Sequence, residues 1–176
     1  MLNFNFYFIK YKFMKEIGID SIDLQLLNQL QKDASLSNQA LAQKLRVSAP
    51  TCMRRVARLR SLGLIERQVA LLQPEKIAQL LGRGLQAIVE VSLDHQSSEL
   101  MDAFEKRAVA DDQVAMCWRV SSGPDFVLMI QVSDMPDYLL LVKRMFSSDA
   151  NVRNLKVFFS TKQCKLVPSI PLPSSI

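Results

Sequence analysis

Five arginines lie between Arg46 and Arg60, and no Asp or Glu interrupts the run. A guanidinium donates paired hydrogen bonds to phosphate oxygens, and a surface without internal counter-charge suits a polyanion. The run therefore indicates binding to double-stranded DNA. The alternative is a basic helix face that contacts only solvent.

These arginines are predicted to lie on a helix from Ser48 to Leu62. Ser48 is suited to the N-cap, and Pro50 to the first turn, where a missing backbone N–H costs nothing. Gly63 is suited to end the helix. Apolar residues recur on this helix at i, i+4 and i+7, which predicts a narrow buried stripe. They are Cys52, Val56 and Leu59.

Arg54 and Arg58 point away from that stripe on a helical wheel, so we predict them as the principal DNA contacts. Arg55 lies nearer the stripe, which leaves two alternatives open: a phosphate contact, or an ion pair with Asp20 or Asp23. The full set of predicted DNA-binding residues is Arg46, Ser48, Pro50, Thr51, Arg54, Arg55 and Arg58.

Residues typical of enzymes are sparse. His95 is the only histidine, and the three cysteines are too widely spaced for a zinc site or a disulfide framework. No Gly-rich phosphate loop or Gly-x-Ser-x-Gly elbow occurs, and the adjacent Asp111 and Asp112 fit a solvated loop better than an acid/base pair. We therefore expect no catalytic residue, cofactor or metal.

Charge divides the 176 residues unevenly. Residues 1–68 hold 11 Lys and Arg against 5 Asp and Glu, whereas the remainder holds 11 against 12. This asymmetry indicates a nucleic-acid-binding module joined to a neutral module with another partner. No stretch approaches the roughly 18 apolar residues of a membrane-spanning helix, so we expect a soluble protein with no membrane partner. The three widely spaced cysteines fit a reducing cytoplasm, where we expect the protein to reside.

Helical periodicity from Asp20 to Lys32 and from Ser37 to Leu45 places two helices before the arginine-bearing one. The short turn before Ser48 makes the last two a helix-turn-helix, whose later helix enters the major groove. Residues 64–67 are predicted as the first strand of a small wing.

Beyond Gly84 the apolar period changes to two, as in β-strands. The order strand, helix, strand, strand, helix, strand predicts a ferredoxin-like βαββαβ domain, and hence an α+β fold overall. Val114, Met116, Trp118 and Val120 are expected to alternate in the second strand. The predicted divisions are an N-terminal extension (1–15), a winged helix-turn-helix domain (16–68), a linker with a short helical stretch (69–84), an effector-binding and oligomerisation domain (85–165) and a C-terminal tail (166–176).

The sequence resembles the leucine-responsive regulatory protein/AsnC (feast/famine) family of transcription regulators. The similar stretches are residues 19–23, Leu41-Ala42, 47–52, Arg54-Arg55-Val56, Arg58-Leu59, Gly63-Leu64-Ile65, and 67–72 with Pro74. The sequence departs from the family pattern at three places. Arg46 replaces a turn glycine and would be strained in a left-handed conformation, and Arg60-Ser61 replaces the acidic end usual for the third helix. Ser122 stands where Gly is usual, with Gly123 following it.

The resemblance implies a sequence-specific regulator of amino-acid metabolism that forms homodimers, sheet on sheet, and higher homo-oligomers. It also implies an effector; leucine or methionine is expected because Met116, Trp118, Phe126 and Leu128 lie nearby. Asp125 would bind the effector ammonium, or else only stabilise its own turn. The alternative function is a nucleoid-associated or assembly protein without an effector. The predicted effector-binding residues are Ser122, Gly123, Pro124, Asp125, Ser133 and Asp134.

Overall fold

The computed structural model describes residues 17–82 and 84–173, so the predicted N-terminal extension lies outside the described residues. The described chain forms two compact units. Residues 17–70 together with 165–173 form a helical domain, and 71–164 form a sheet domain. Residues predicted as a tail thus belong to the helical domain, where the Gln31 side chain bonds both the N–H and the C=O of Ile170. None of the described helices is long and apolar enough to cross a membrane.

Three helices build the helical domain: α1 (Ser21–Leu30), α2 (Asn38–Leu45) and α3 (Ala49–Ser61). The side chains of Asp20, Ser37 and Ser48 cap them by accepting a backbone N–H of the first turn. All three residues of the predicted α3 stripe are buried in the core, which confirms the helical wheel on that side. The core residues are Ile19, Leu24, Leu26, Leu41, Ala42, Cys52, Val56 and Leu59.

The wing strand predicted at residues 64–67 does not form, and residues 65–73 are neither helix nor strand. A strand needs a partner for its backbone hydrogen bonds, and no described segment pairs with this one. Ile65 instead packs against the helical core.

The sheet domain begins with helix α4 (Pro74–Leu81) and continues in the predicted βαββαβ order. Its antiparallel sheet has the strand order β2-β3-β1-β4. The elements are β1 (Leu85–Leu93), α5 (Ser98–Val109), β2 (Val114–Arg119), β3 (Phe126–Val132), α6 (Met135–Val142), a π-helical turn (Lys143–Ser147) and β4 (Val152–Phe159).

Strands β1 and β3 alternate as predicted, and every second residue of each is buried in the core that includes residues of α5 and α6. Strand β2 does not. Its register shifts between Val114 and Met116, so Cys117 packs on the core while Trp118 is 48% exposed. The prediction that Trp118 alternates in phase with Val114 was wrong, because a bulge inserts one extra residue and reverses the faces.

The opposite side of the sheet, here called the open face, carries an apolar row across all four strands. Met116 pairs with Met129, Met129 with Ile88, and Ile88 with Phe158. Ile88 and Phe158 are each 43% exposed. The described part of one chain therefore leaves this row only partly covered.

Candidate nucleic-acid interface

The turn between α2 and α3 depends on a left-handed residue. Arg46 has φ 55° and ψ 41°, and its N–H donates to the carbonyl oxygens of Ala42 and Gln43. Arg46 therefore adopts the left-handed conformation in which, from the sequence, an arginine is expected to be strained. Because L residues with a Cβ are strained in this region, the arginine occupies it at a cost that glycine would not incur.

The start of α3 faces solvent and is ordered by its own side chains. Ser48 Oγ accepts the N–H of Thr51 at 3.3 Å and donates to Thr51 Oγ1 at 2.8 Å. Pro50 lies in the first turn, and both Ser48 and Pro50 are exposed. The N-terminus of α3 is thus available to a phosphate group, which helix N-termini favour.

Arg54 is exposed, and in the described residues it makes no ion pair. The same holds, within residues 17–82 and 84–173, for Arg46 at the preceding turn. These two guanidinium groups are consequently free to contact an external anion.

Arg55 is a structural residue. Its Nη1 donates to Asp20 Oδ2 at 2.7 Å and to Asp23 Oδ1 at 2.9 Å, so the ion-pair alternative for Arg55 is confirmed. Partial burial raises the pKa of Asp20, but the backbone N–H of Asp23 and the Arg55 guanidinium outweigh it and lower that pKa below its ordinary value. Partial burial lowers the pKa of Arg55, but the hydrogen bonds to Asp23 and Asp20 outweigh this effect. The pKa of Arg55 is therefore raised above its ordinary value.

The prediction that Arg58 faces outward as a principal DNA contact is not supported by its position in the structure. Its Nη2 donates to Asp23 Oδ2 and, at 2.9 Å, to the carbonyl oxygen of Gly18, so the group turns toward α1. Asp23 is fully buried and is the only buried charged side chain among the described residues. A buried carboxylate requires such partners, and this need outweighs the position of Arg58 on the wheel.

A sequence signal for this cluster existed. Asp23 precedes Leu26, Leu27 and Leu30 by three, four and seven residues, so it lies on the apolar stripe of α1. An acid on a buried stripe needs a cation, and α3 is the arginine-rich neighbour.

The predicted effector turn has a second left-handed residue, because Ser122 has φ 68° at the position where the family usually has Gly. Asp125 Oδ2 accepts the backbone N–H of Leu93 at 2.6 Å, and the Asp125 N–H donates to Val91 O at 2.8 Å. Asp125 therefore ties its turn to the end of β1. Gly123 is exposed and Pro124 half-buried beside it.

The other predicted effector residues lie elsewhere. Asp134 caps α6 by accepting the N–H of Asp137 at 3.0 Å, and Ser133 precedes it at the far end of β3. Seven residues of strand separate them from Asp125, about 24 Å. The six residues do not form one pocket within a chain. Phe126 and Leu128 are fully buried, so neither lines an open site.

A cavity of about 250 Å³ lies between α4 and the adjoining ends of β1, β3 and β4, and the sequence did not indicate it. Ile77, Ala78, Leu85 and Val132 supply apolar walls, and Glu75 and Lys162 supply opposite charges. Within the described residues, no group of His, Cys, Asp or Glu could hold a metal ion.

Comparison with known proteins shows which families the two domains match. Residues 19–66 match the family model for winged helix-turn-helix DNA-binding, and residues 86–170 match the Lrp/AsnC ligand binding domain. The DNA-binding transcriptional activator DecR of Escherichia coli is 35% identical over 154 residues, which cover 88% of this chain and 99% of DecR. The chain belongs to the Lrp/AsnC family of transcriptional regulators.

Other Lrp/AsnC proteins agree with this assignment. The leucine-responsive regulatory protein of Rhizobium meliloti is 32% identical over 149 residues, covering 85% of this chain and 93% of its own. An AsnC family regulator from Agrobacterium tumefaciens superposes with a TM-score of 0.76 at 28% identity, covering 87% and 97% of the two chains. A regulator from Neisseria meningitidis, solved as its L-Met complex, superposes with a TM-score of 0.75 at 27% identity, covering 87% and 96%. The predicted family and α+β fold are confirmed, and these relatives are named as regulators.

Proposed function

We propose that this Lrp/AsnC protein binds specific DNA sequences through α3 and controls genes of amino-acid metabolism. The observation that carries the proposal is the exposed pair of cations at α3 and its preceding turn, Arg54 and Arg46, which form no ion pair within the described residues. In this proposal Arg54 contacts base edges at a specific site and a phosphate on other sequences, while Ser48, Pro50 and Thr51 bring the helix N-terminus to a phosphate. Arg55 and Arg58 instead form ion pairs with Asp23 and so hold α3 against α1.

Selection of bound duplexes from a random pool tests this proposal. We expect a pseudo-palindromic sequence to be enriched and to compete at least 1,000-fold better than random duplex, about the lower limit for specific binders. Binding without enrichment would favour the alternative, a nucleoid-associated or assembly protein. No duplex binding at low salt would contradict both.

We propose further that an amino acid with an apolar side chain, such as leucine or methionine, is the effector. The match to the Lrp/AsnC ligand binding domain supports an effector, and the Neisseria relative was solved with L-Met. The turn from Ser122 to Asp125 remains one candidate site. The cavity is the second, because Glu75 and Lys162 suit the ammonium and carboxylate of an amino acid.

Calorimetric titration of the full chain with L-leucine and L-methionine separates these sites. Asp125→Asn removes the charge but keeps an acceptor for the Leu93 N–H, whereas Lys162→Ala alters only the cavity. Lost binding in one variant identifies its site, and retained binding in both excludes the two. If no amino acid binds more tightly than about 1 mM, the effector proposal fails.

The open face is proposed as the homodimer interface, from which higher homo-oligomers would be built. Its apolar row, Met116, Met129, Ile88 and Phe158, supplies a strip that a second sheet could cover. We expect Phe158→Asp to dissociate the dimer in sedimentation velocity, since it buries a charge there. A matched change outside the row, Leu139→Asp on the exposed side of α6, should leave the dimer intact.

A further inference from the structure

The arginines of α3 have unequal surroundings although their spacing is similar. Arg54 and Arg58 are four residues apart, so they project from neighbouring turns of one helix face. Arg54 is exposed and, in the described part of the chain, forms no ion pair. Arg58 reaches back to Asp23 and Gly18, which leaves 37% of its side chain exposed.

Asp23 uses both carboxylate oxygens for this arrangement. Oδ1 accepts from Arg55 at 2.9 Å, and Oδ2 accepts from Arg58 and from the backbone N–H of Asp20. Because Asp23 is fully buried, a departing Arg58 would leave a buried anion with one cation fewer. A phosphate contact at an exposed guanidinium is screened by water and salt and compensates little of that loss.

We infer that Asp23 is a positioning residue that withholds Arg58 from DNA and leaves Arg54 as the DNA-contacting cation in the middle of α3. The inference rests on the proposed DNA binding. Fewer free cations weaken binding to any sequence, because that binding is set by the number of phosphates neutralised. Discrimination between DNA sequences then depends on the contacts that Arg54 and its neighbours make with the bases.

The salt dependence of binding to random-sequence duplex tests the inference with a matched pair, Arg54→Gln and Arg58→Gln, in the full chain. Each variant removes one charge from the same helix face. Losing one phosphate contact reduces the slope of log affinity against log salt by about 0.9, or about 3.5-fold in affinity over a fourfold rise in salt. We expect this reduction for Arg54→Gln and an unchanged slope for Arg58→Gln.

Equal reductions in both variants, or none in either, would overturn the inference while DNA binding itself stands. Absence of duplex binding by the unmodified protein is a different result, which contradicts the proposed function. A merely structural Asp23–Arg58 pair predicts the same division of salt slopes, so the withholding role of Asp23 is tested separately by releasing Arg58.

Asp23→Asn provides the converse test, since it keeps the shape of the side chain but releases Arg58. We expect a slope steeper by about 0.9 and tighter binding to random duplex. Asp33→Asn is the control, because Asp33 loses the same charge in the same domain but bonds only Ser35. Adding Arg58→Gln to Asp23→Asn should restore the original slope.

Equal slopes in Asp23→Asn and Asp33→Asn would contradict the withholding role. Circular dichroism at 222 nm selects conditions in which the variants are folded. If Asp23→Asn does not fold, the comparison of Arg54→Gln with Arg58→Gln still tests whether Arg58 is kept from phosphate, and equal reductions of the slope overturn the inference.

Discussion

In the helical domain the buried carboxylate of Asp23 accepts from Arg55 and Arg58, whereas the described interior of the sheet domain contains no charged side chain. The described cores also differ in size, with eight buried apolar residues in the former and fifteen in the latter. A small core leaves helix orientation less constrained by packing alone. The ion pairs supply geometric constraint to α3, and such constraint is a better-supported role for buried ion pairs than net stability.

The largest expected effect comes from removing this carboxylate. Asp23→Ala should destabilise the helical domain by about 3–5 kcal/mol, because it removes a buried charged acceptor that receives hydrogen bonds from Arg55, Arg58 and the Asp20 N–H. The sheet domain should keep its stability. The single tryptophan, Trp118, lies in β2, so its fluorescence in urea follows the sheet domain while circular dichroism also follows the helices. If fluorescence and circular dichroism gave coincident, equally shifted transitions, the claim that only the helical domain is destabilised would be contradicted. Asp33→Ala is the charge-matched control.

The sheet domain should respond instead to lost volume. Leu128 is fully buried, and Leu128→Ala is expected to cost about 2–5 kcal/mol through the cavity it leaves. Leu139, which is 59% exposed, provides a matched Leu→Ala control with little expected loss. Urea titration followed by Trp118 fluorescence measures both. A small loss in Leu128→Ala would show that this core relaxes around cavities.

The described part of each domain also contains one non-glycine residue in the left-handed region, Arg46 in the helical domain and Ser122 in the sheet domain. Glycine at either position should stabilise its own domain by about 1 kcal/mol, because the Cβ strain is removed. Arg46→Gly should weaken DNA binding by removing a cation, whereas Ser122→Gly should not. Thermal melting and mobility shift measure the two effects. Unchanged melting in both would mean that neighbouring bonds already offset the strain.

Acid should produce the smallest contrast between the domains. Arg144 lowers the pKa of Asp111 in the sheet domain through hydrogen bonds at 2.8 and 2.9 Å, against a smaller opposing effect of burial. A carboxyl with a lowered folded pKa stabilises above its unfolded pKa, and this contribution is lost as pH falls through the folded value. Both domains should weaken below about pH 4, Asp20 contributing in the helical domain.

Asp111→Asn should flatten that acid response in the sheet domain only. Urea midpoints between about pH 5 and 2.5 measure this response, by Trp118 fluorescence for the sheet domain and by circular dichroism for the helices as well. An equal flattening in the helical domain would contradict the assignment of Asp111 to a local ion pair.

Prediction from sequence succeeded where local periodicity or a cap decides the outcome. The buried stripe of α3 and the alternation of β1 and β3 follow from local patterns. It failed at β2, since a one-residue bulge reverses the faces without leaving a mark in the alternation. It also failed at residues 64–67, which lack a pairing segment.

The sequence by itself determined the family, the two-domain order and the basic character of α3, because motif spacing, periodicity and charge are properties of neighbouring residues. Only the tertiary structure decided which arginines are free. Arg58 meets Asp23 across 35 positions, and Asp125 meets Leu93 across 32. A helical wheel gives the direction in which a side chain leaves its helix, but the buried carboxylate of another helix determines where a long guanidinium ends.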